Sequence, residues 1–163
     1  MRLQLAINVK DLDAAIEFYS KVFGVEVNKR KPGYANFAID RPPLKLVLFE
    51  APDAVNQLNH LGVEVFDDAE VAAAAERINA AGLAPELQEQ QTCCFAKQNK
   101  AIVYDPDGTM WEWYRVLEDS ESFFAPTREA VCQEESGSGP QRGSVSETAA
   151  SESCCAQTSC CSA

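Results

Sequence analysis

The sequence predicts an α+β fold: two βαβββ modules followed by a disordered tail. Three observations carry that expectation. Leu3-Gln4-Leu5-Ala6-Ile7-Asn8-Val9 alternates as a half-buried strand does, and Asn59-His60-Leu61-Gly62-Val63-Glu64-Val65 repeats the alternation fifty-six residues later. Each of these strands runs into a helical pattern with an Asp near its start and a Gly just past its end. After Phe123-Phe124 the apolar residues give way to Ser, Glu, Gly and Ala.

In the first module the helix spans 11–23. Asp11 suits its N-terminus and Gly24 its C-terminal cap, and Leu12, Ala15, Ile16, Tyr19 and Phe23 trace one face. Short strands follow near 26–28, 34–39 and 44–49, with Arg41-Pro42-Pro43 turning between the last two. In the second module the helix runs from Asp67 or Asp68 to Ala81, with Gly82 beyond it and Val71, Ala74, Ala75 and Ile78 on its apolar face. Residues 84–92, with Pro85 and Gln88-Glu89-Gln90-Gln91, read as a loop. Strands are expected near 94–97, 101–104 and 109–116, the last two joined by Asp105-Pro106-Asp107-Gly108. The folded domain is therefore 1–117, with modules of about 2–50 and 58–117, and 118–163 is an acidic, cysteine-containing tail. The tail holds eight acidic and two basic residues and too little apolar surface to offset its ordering entropy.

Charge narrows the function. The 25 acidic and 14 basic residues give a net charge of −11, without Lys/Arg clusters, which argues against nucleic acid or an anionic membrane surface as partner. No apolar run is long enough to cross a bilayer, and the first residues carry no signal-like apolar block. A cytoplasmic location is the expectation. The seven cysteines are odd in number and mostly in adjacent pairs, which argues against a disulfide framework and for working thiols.

Strand alternation then sorts the polar residues. Gln4, Ala6 and Asn8 share one strand face; His60, Gly62 and Glu64 share the equivalent face of the second module. Gln4 and His60 therefore occupy matching positions and point into one cup, with the small Ala6 and Gly62 leaving room. Glu112 alternates with Trp111 and Trp113, so its carboxylate faces away from the bulky side. Glu64 is a rival carboxylate on the inner face. A lone His in a strand is more often structural than a ligand, and the single His of this chain rules out a His-rich site. Adjacent cysteines such as Cys93-Cys94 point to opposite faces of a regular strand, so both thiols reach one atom only from a loop or a distorted strand.

The doubled βαβββ pattern, His60 opening the second module and Asp105-Pro106-Asp107-Gly108 followed by Glu112 resemble the vicinal-oxygen-chelate superfamily of glyoxalases, extradiol dioxygenases and antibiotic-resistance proteins, over about residues 2–117. Phe18-Tyr19-Ser20-Lys21-Val22-Phe23-Gly24, Lys31-Pro32-Gly33-Tyr34-Ala35-Asn36-Phe37, Asn59-His60-Leu61-Gly62-Val63-Glu64-Val65 and Thr92-Cys93-Cys94-Phe95-Ala96 resemble one subgroup of it: the carbon–arsenic lyases and the similar cadmium-induced proteins. The resemblance implies a half-open barrel and metal ligands at Gln4, His60 and Glu112. It also implies an Fe(II)-dependent dioxygenase that cleaves the C–As bond of trivalent organoarsenicals, methylarsenite first, with aromatic arsenicals as further substrates. Such a donor set suits a hard cation with open positions, and Ni, Co or Zn can substitute for iron. By the repeat register, Val47 matches Glu112, which leaves the fourth corner of the cup apolar. Cys93 and Cys94 would bind the arsenic, since thiolate sulfur is the soft ligand available. The tail thiols Cys154, Cys155, Cys160 and Cys161 would be accessory arsenic ligands, with Cys132 unassigned. The implied partners are the small organoarsenical and O2, in a chain that leans toward a homodimer. Two other functions share parts of this pattern: a metal-dependent glyoxalase or thiol-transfer enzyme, which needs no cysteine pair, and a thiol-based metal sequestrant, which needs no His60.

Overall fold

The computed structural model describes residues 1–124. Eight strands and two helices follow the doubled order: β1 (Arg2–Val9), α1 (Leu12–Phe23), β2 (Lys29–Lys31), β3 (Tyr34–Ile39), β4 (Leu44–Glu50), β5 (Leu58–Glu64), α2 (Asp68–Ala80), β6 (Glu86–Cys93), β7 (Ala96–Tyr104) and β8 (Met110–Asp119). The helix signals act as expected. Asp11 caps α1 by accepting from the Ala14 N–H at 2.9 Å, and Asp67 caps α2 by accepting from the Ala69 N–H at 2.9 Å. Gly24, at φ +66°, supplies the left-handed residue that ends α1.

All eight strands join in one sheet, ordered β2-β3-β4-β1-β5-β8-β7-β6, which curls into a half-barrel. Its centre is the antiparallel pair β1–β5, flanked on one side by β4 parallel to β1 and on the other by β8 parallel to β5. This symmetry is the repeat made physical. Ala6 pairs with Val47 in the first module and Gly62 with Glu112 in the second, so Val47 and Glu112 hold equivalent places, as the repeat register predicts. The outer faces carry the helices. Leu5, Ile7 and Val9 pack with Leu12, Ile16 and Tyr19 of α1 over Phe37, Leu46 and Leu48, while Val63 and Val65 pack on Val71 and Ala75 of α2. Burying each of Phe37, Leu46 and Leu48 contributes about 1.5–3 kcal/mol. The inner face is left to line a cup.

Four elements differ from the sequence expectation. Residues 86–93 form strand β6 rather than a loop. It is an edge strand, with β7 as its one neighbouring strand, so Glu86, Leu87 and Glu89 are exposed and no apolar alternation marks it. An irregularity between Gln88 and Gln91, with Gln90 at φ +53°, bends it as a bulge does. The two strands expected at 94–97 and 101–104 are one strand, β7, because Gln98 and Lys100 are buried polar residues on its inner face. The strand expected at 26–28 is β2 at Lys29–Lys31. β8 continues to Asp119.

Candidate functional site

Gln4, His60 and Glu112 meet on the inner face of the cup, each at most 4% exposed. Strand register brings them together: Gln4 pairs with Gly62 on β5, and Gly62 with Glu112 on β8, so Gln4 and Glu112 flank a residue without a side chain. A Cβ at Gly62 would lie 2.9 Å from Glu112 Cγ and 3.4 Å from Gln4 Nε2. The three polar ends form a closed triangle. Gln4 Nε2 stands 2.9 Å from His60 Nε2 and 2.8 Å from Glu112 Oε1, and His60 Nε2 stands 3.4 Å from Glu112 Oε1.

That triangle has the dimensions of one face of an octahedron. Donors about 2.1 Å from a metal and mutually at right angles are separated by about 3.0 Å. The ring is also oriented for this role: His60 Nδ1 lies 2.6 Å from Asn59 Oδ1 and is the natural donor to it, which leaves Nε2 with a lone pair facing Gln4 and Glu112. Asn59 is itself held by Asn8 Oδ1 at 3.0 Å. The Gln4 amide presents Nε2 to the triangle, while Oε1 accepts from the Tyr114 hydroxyl. A half-turn of the amide would exchange these atoms, aim Oε1 at the centre and leave Nε2 donating to Tyr114. The residues present therefore fit a divalent cation. Among the described residues, no three His, Cys, Asp or Glu side chains converge on such a site, so the amide is essential to it.

Sequence reasoning missed the cations behind the triangle. Lys100 Nζ donates to Glu112 Oε2 at 2.9 Å, and both side chains are almost fully buried. Burial alone would push the Glu112 carboxyl up, but the charge of the Lys100 ammonium outweighs it and holds the group well below the usual carboxylate range. Lys100 in turn stays charged: burial disfavours the ammonium, but Glu112 more than compensates and its pKa lies above the ordinary value. Glu64 is occupied elsewhere. It pairs with Lys45 at 2.9 Å and with Arg2, so the rival carboxylate stands outside the triangle. A lysine inside the apolar run Leu44-Lys45-Leu46-Val47 was the available signal for this second buried pair.

The thiols come together through a strained turn. Cys93 ends β6 and pairs with Ala96 of β7, and the two residues between, Cys94 and Phe95, have φ of +56° and +61°. Both central residues are left-handed, as a two-residue hairpin loop demands, although neither is the Gly or Asn that adopts this conformation readily. The turn is tied down. The Phe95 carbonyl accepts from Lys29 Nζ at 3.2 Å and from the Ser120 N–H at 2.9 Å, and the Cys93 carbonyl accepts from Gln98 Nε2 at 3.0 Å. The result puts Cys93 Sγ and Cys94 Sγ 3.1 Å apart. Thiolates sharing one atom at about 2.3 Å would be about 3.3–3.8 Å apart, so a small opening accommodates a bridging atom.

Triangle and turn share a cavity of about 410 Å³, lined among others by Gln4, His60, Glu112, Lys100, Gln98 and Cys94. Its apolar wall is Tyr34, Val47 and Phe49, backed by Phe95, with Phe123 packed on Phe49 and Phe95. Cys132, Cys154, Cys155, Cys160 and Cys161 lie outside the described residues. No described helix is long and apolar enough to cross a membrane.

The family model described as the glyoxalase/bleomycin resistance protein/dioxygenase superfamily matches residues 3–113. The chain is 51% identical over 153 residues to the cadmium-induced protein CadI of Mycobacterium tuberculosis, covering 94% of this chain and 92% of that one. It is 48% identical over 132 residues to a protein of Thermomonospora curvata named trivalent organoarsenical cleaving enzyme, covering 80% and 87%. The solved structure of an Mn(II)-bound glyoxalase from Novosphingobium aromaticivorans shares the fold, with a TM-score of 0.53 at 22% identity over 76% of this chain and 41% of that one.

Proposed function

The chain belongs to the glyoxalase/bleomycin resistance protein/dioxygenase superfamily, and on that premise we propose that it is an Fe(II)-dependent dioxygenase cleaving the carbon–arsenic bond of trivalent organoarsenicals. One observation carries this reading above the others: Cys94, whose thiol lies 3.1 Å from that of buried Cys93, lines the same cavity as the Gln4–His60–Glu112 triangle. A glyoxalase needs no such thiol pair, and a sequestrant needs no triangle. The name of the Thermomonospora curvata relative points the same way.

Each part has a task. Gln4, His60 and Glu112 would hold the iron, which when bound would supply oxygen activation. Lys100 keeps Glu112 ionised and aimed. Cys93 and Cys94 fix the arsenic as a dithiolate and so hold its organic group in place within the cavity. Tyr34, Phe49 and Val47 give that group an apolar wall that limits the entry of water. The overall reaction balances without an external reductant: methylarsenite and O2 give arsenite and formaldehyde, with both oxygen atoms retained and arsenic trivalent throughout. A soluble substrate of this size needs no protein partner.

Ligand replacement tests the assignment. His60→Ala and Glu112→Ala should abolish arsenite release and weaken metal binding sharply, whereas Gln4→Ala, which removes a neutral ligand, should weaken it less. Full activity in a folded His60→Ala protein would overturn it.

A further inference from the structure

Cys94 and Phe95 sit where their side chains disfavour it, at φ of +56° and +61°. Strain of this kind amounts to about a 5- to 150-fold bias against the conformation at each residue, and it persists only where the surroundings over-determine it. Relaxed toward a regular strand, the turn would send the two thiols to opposite faces. Something must hold it.

The residues that do so follow β8, beyond the domain end expected at residue 117. The Ser120 N–H donates to the Phe95 carbonyl at 2.9 Å, and Lys29, which donates to the same carbonyl at 3.2 Å, also pairs with Asp119. Phe124 forms an antiparallel bridge to Cys93. Phe123 packs edge-on against Phe95, with ring centroids 5.3 Å apart at 85°, and against Phe49 at 6.2 Å and 73°. Phe95 also meets Tyr34 at 5.4 Å. A residue in a two-residue hairpin loop would ordinarily meet water, yet Phe95 is only 7% exposed. Of residues 121–124, Phe123 alone is half-buried and its neighbours are exposed.

We infer that Phe123 is a positioning residue for arsenic capture: it seals Phe95 into the aromatic cluster and so holds the strained turn on which Cys93 and Cys94 carry their thiols side by side. This rests on the proposed thiol capture. R–As(OH)2 and two thiols give the dithiolate and two waters, the thiol protons leaving with the hydroxyls, and arsenic stays trivalent. A relaxed turn reaches the first As–S bond but not the second. Chelation by the pair therefore depends on Phe123, whereas reaction of a single thiol does not. Nor does the triangle, which is built on β1, β5 and β8.

The test uses the metal-free, full-length chain with Cys132, Cys154, Cys155, Cys160 and Cys161 replaced by Ser, titrated with methylarsenite without oxygen and followed by As–S absorbance. Phe123→Ala should weaken binding by about tenfold or more, while Phe123→Tyr, which keeps the ring, should stay within about threefold of the parent. Mn(II), a hard ion that avoids thiols, should bind both variants within about twofold of the parent. Alkylation of Cys94 by iodoacetamide should not slow in either. In a Phe95→Gly background, where that residue is left-handed without strain, Phe123→Ala should change methylarsenite affinity by less than about twofold. Methylarsenite affinity within about threefold of the parent in Phe123→Ala overturns the inference. So does an equal loss in Phe123→Tyr, a parallel loss of Mn(II) binding, or an undiminished effect in the Phe95→Gly background. If the parent itself fails to bind methylarsenite, the thiol-capture reading falls and takes this inference with it.

Discussion

Replacing Gly62 by Ala puts one methyl group between Gln4 and Glu112, on the row of β1, β5 and β8 that carries the site. Its carbon would lie 2.9 Å from Glu112 Cγ, 3.1 Å from the Glu112 carbonyl oxygen and 3.4 Å from Gln4 Nε2. Carbon atoms settle about 3.5–4.0 Å apart, so the Glu112 side chain must retreat by about 0.6–1 Å. The carbonyl belongs to the β8 backbone and yields less readily. Overpacking of this kind costs about 1–3 kcal/mol, enough to lower Tm by several degrees. The retreat also pulls Glu112 Oε1 away from a partner now 2.8 Å distant, which opens the triangle. Disturbance of ligand orientation on this scale should weaken metal binding about 10- to 100-fold. Metal titration of the wild-type and Gly62→Ala proteins, with thermal melts of both in chelator, separates the two effects. A Gly62→Ala protein with metal affinity within threefold of wild type would refute the proposal that these residues ligate one ion through this face.

The thiol pair should be all or none: Cys93→Ser and Cys94→Ser each keep the side-chain size but remove a soft donor, and each should reduce methylarsenite binding by at least tenfold in equilibrium titration. Acid should expose the Arg2–Glu64–Lys45 cluster. Burial opposes ionisation of Glu64, but Lys45 and Arg2 prevail and hold its carboxyl below the ordinary value. Its contribution to stability is therefore present above about pH 4.3 and is lost as pH falls through the lowered native value. Glu64→Gln should flatten that slope in denaturant melts between about pH 5 and 3 and, by stranding buried Lys45, cost about 3 kcal/mol at pH 7. Deleting residues 125–163 should leave saturated turnover intact and lower the number of arsenic atoms bound per chain; unchanged stoichiometry would remove the tail cysteines from arsenic handling.

The legible parts of this protein were those that local patterning fixes. The repeat of 3–9 at 59–65, the Asp caps and the period-2 alternation placed Gln4 and His60 on one face and made Val47 the counterpart of Glu112. The adjacency of Cys93 and Cys94 required a distorted backbone, which Cys94 and Phe95 provide at positive φ. What escaped depended on partners from distant strands. Lys100 and Gln98 interrupt the apolar pattern of β7, and nothing local distinguishes a lysine that meets Glu112 across the β7–β8 pair from one that ends a strand. Edge strand β6 was invisible for the opposite reason: with one face to solvent and one neighbour, its polar run is indistinguishable from a loop.

The central claim is that iron and oxygen act on arsenic held by the vicinal thiols. Its most direct measurement begins with the metal-free protein under argon, loaded with Fe(II) and one equivalent of methylarsenite, then exposed to a measured pulse of oxygen while arsenite and formaldehyde are quantified. No product should form before the pulse, and one arsenite and one formaldehyde per oxygen consumed should form after it. Arsenite formed without oxygen or without Fe(II), or oxygen consumed with no arsenite, would contradict it.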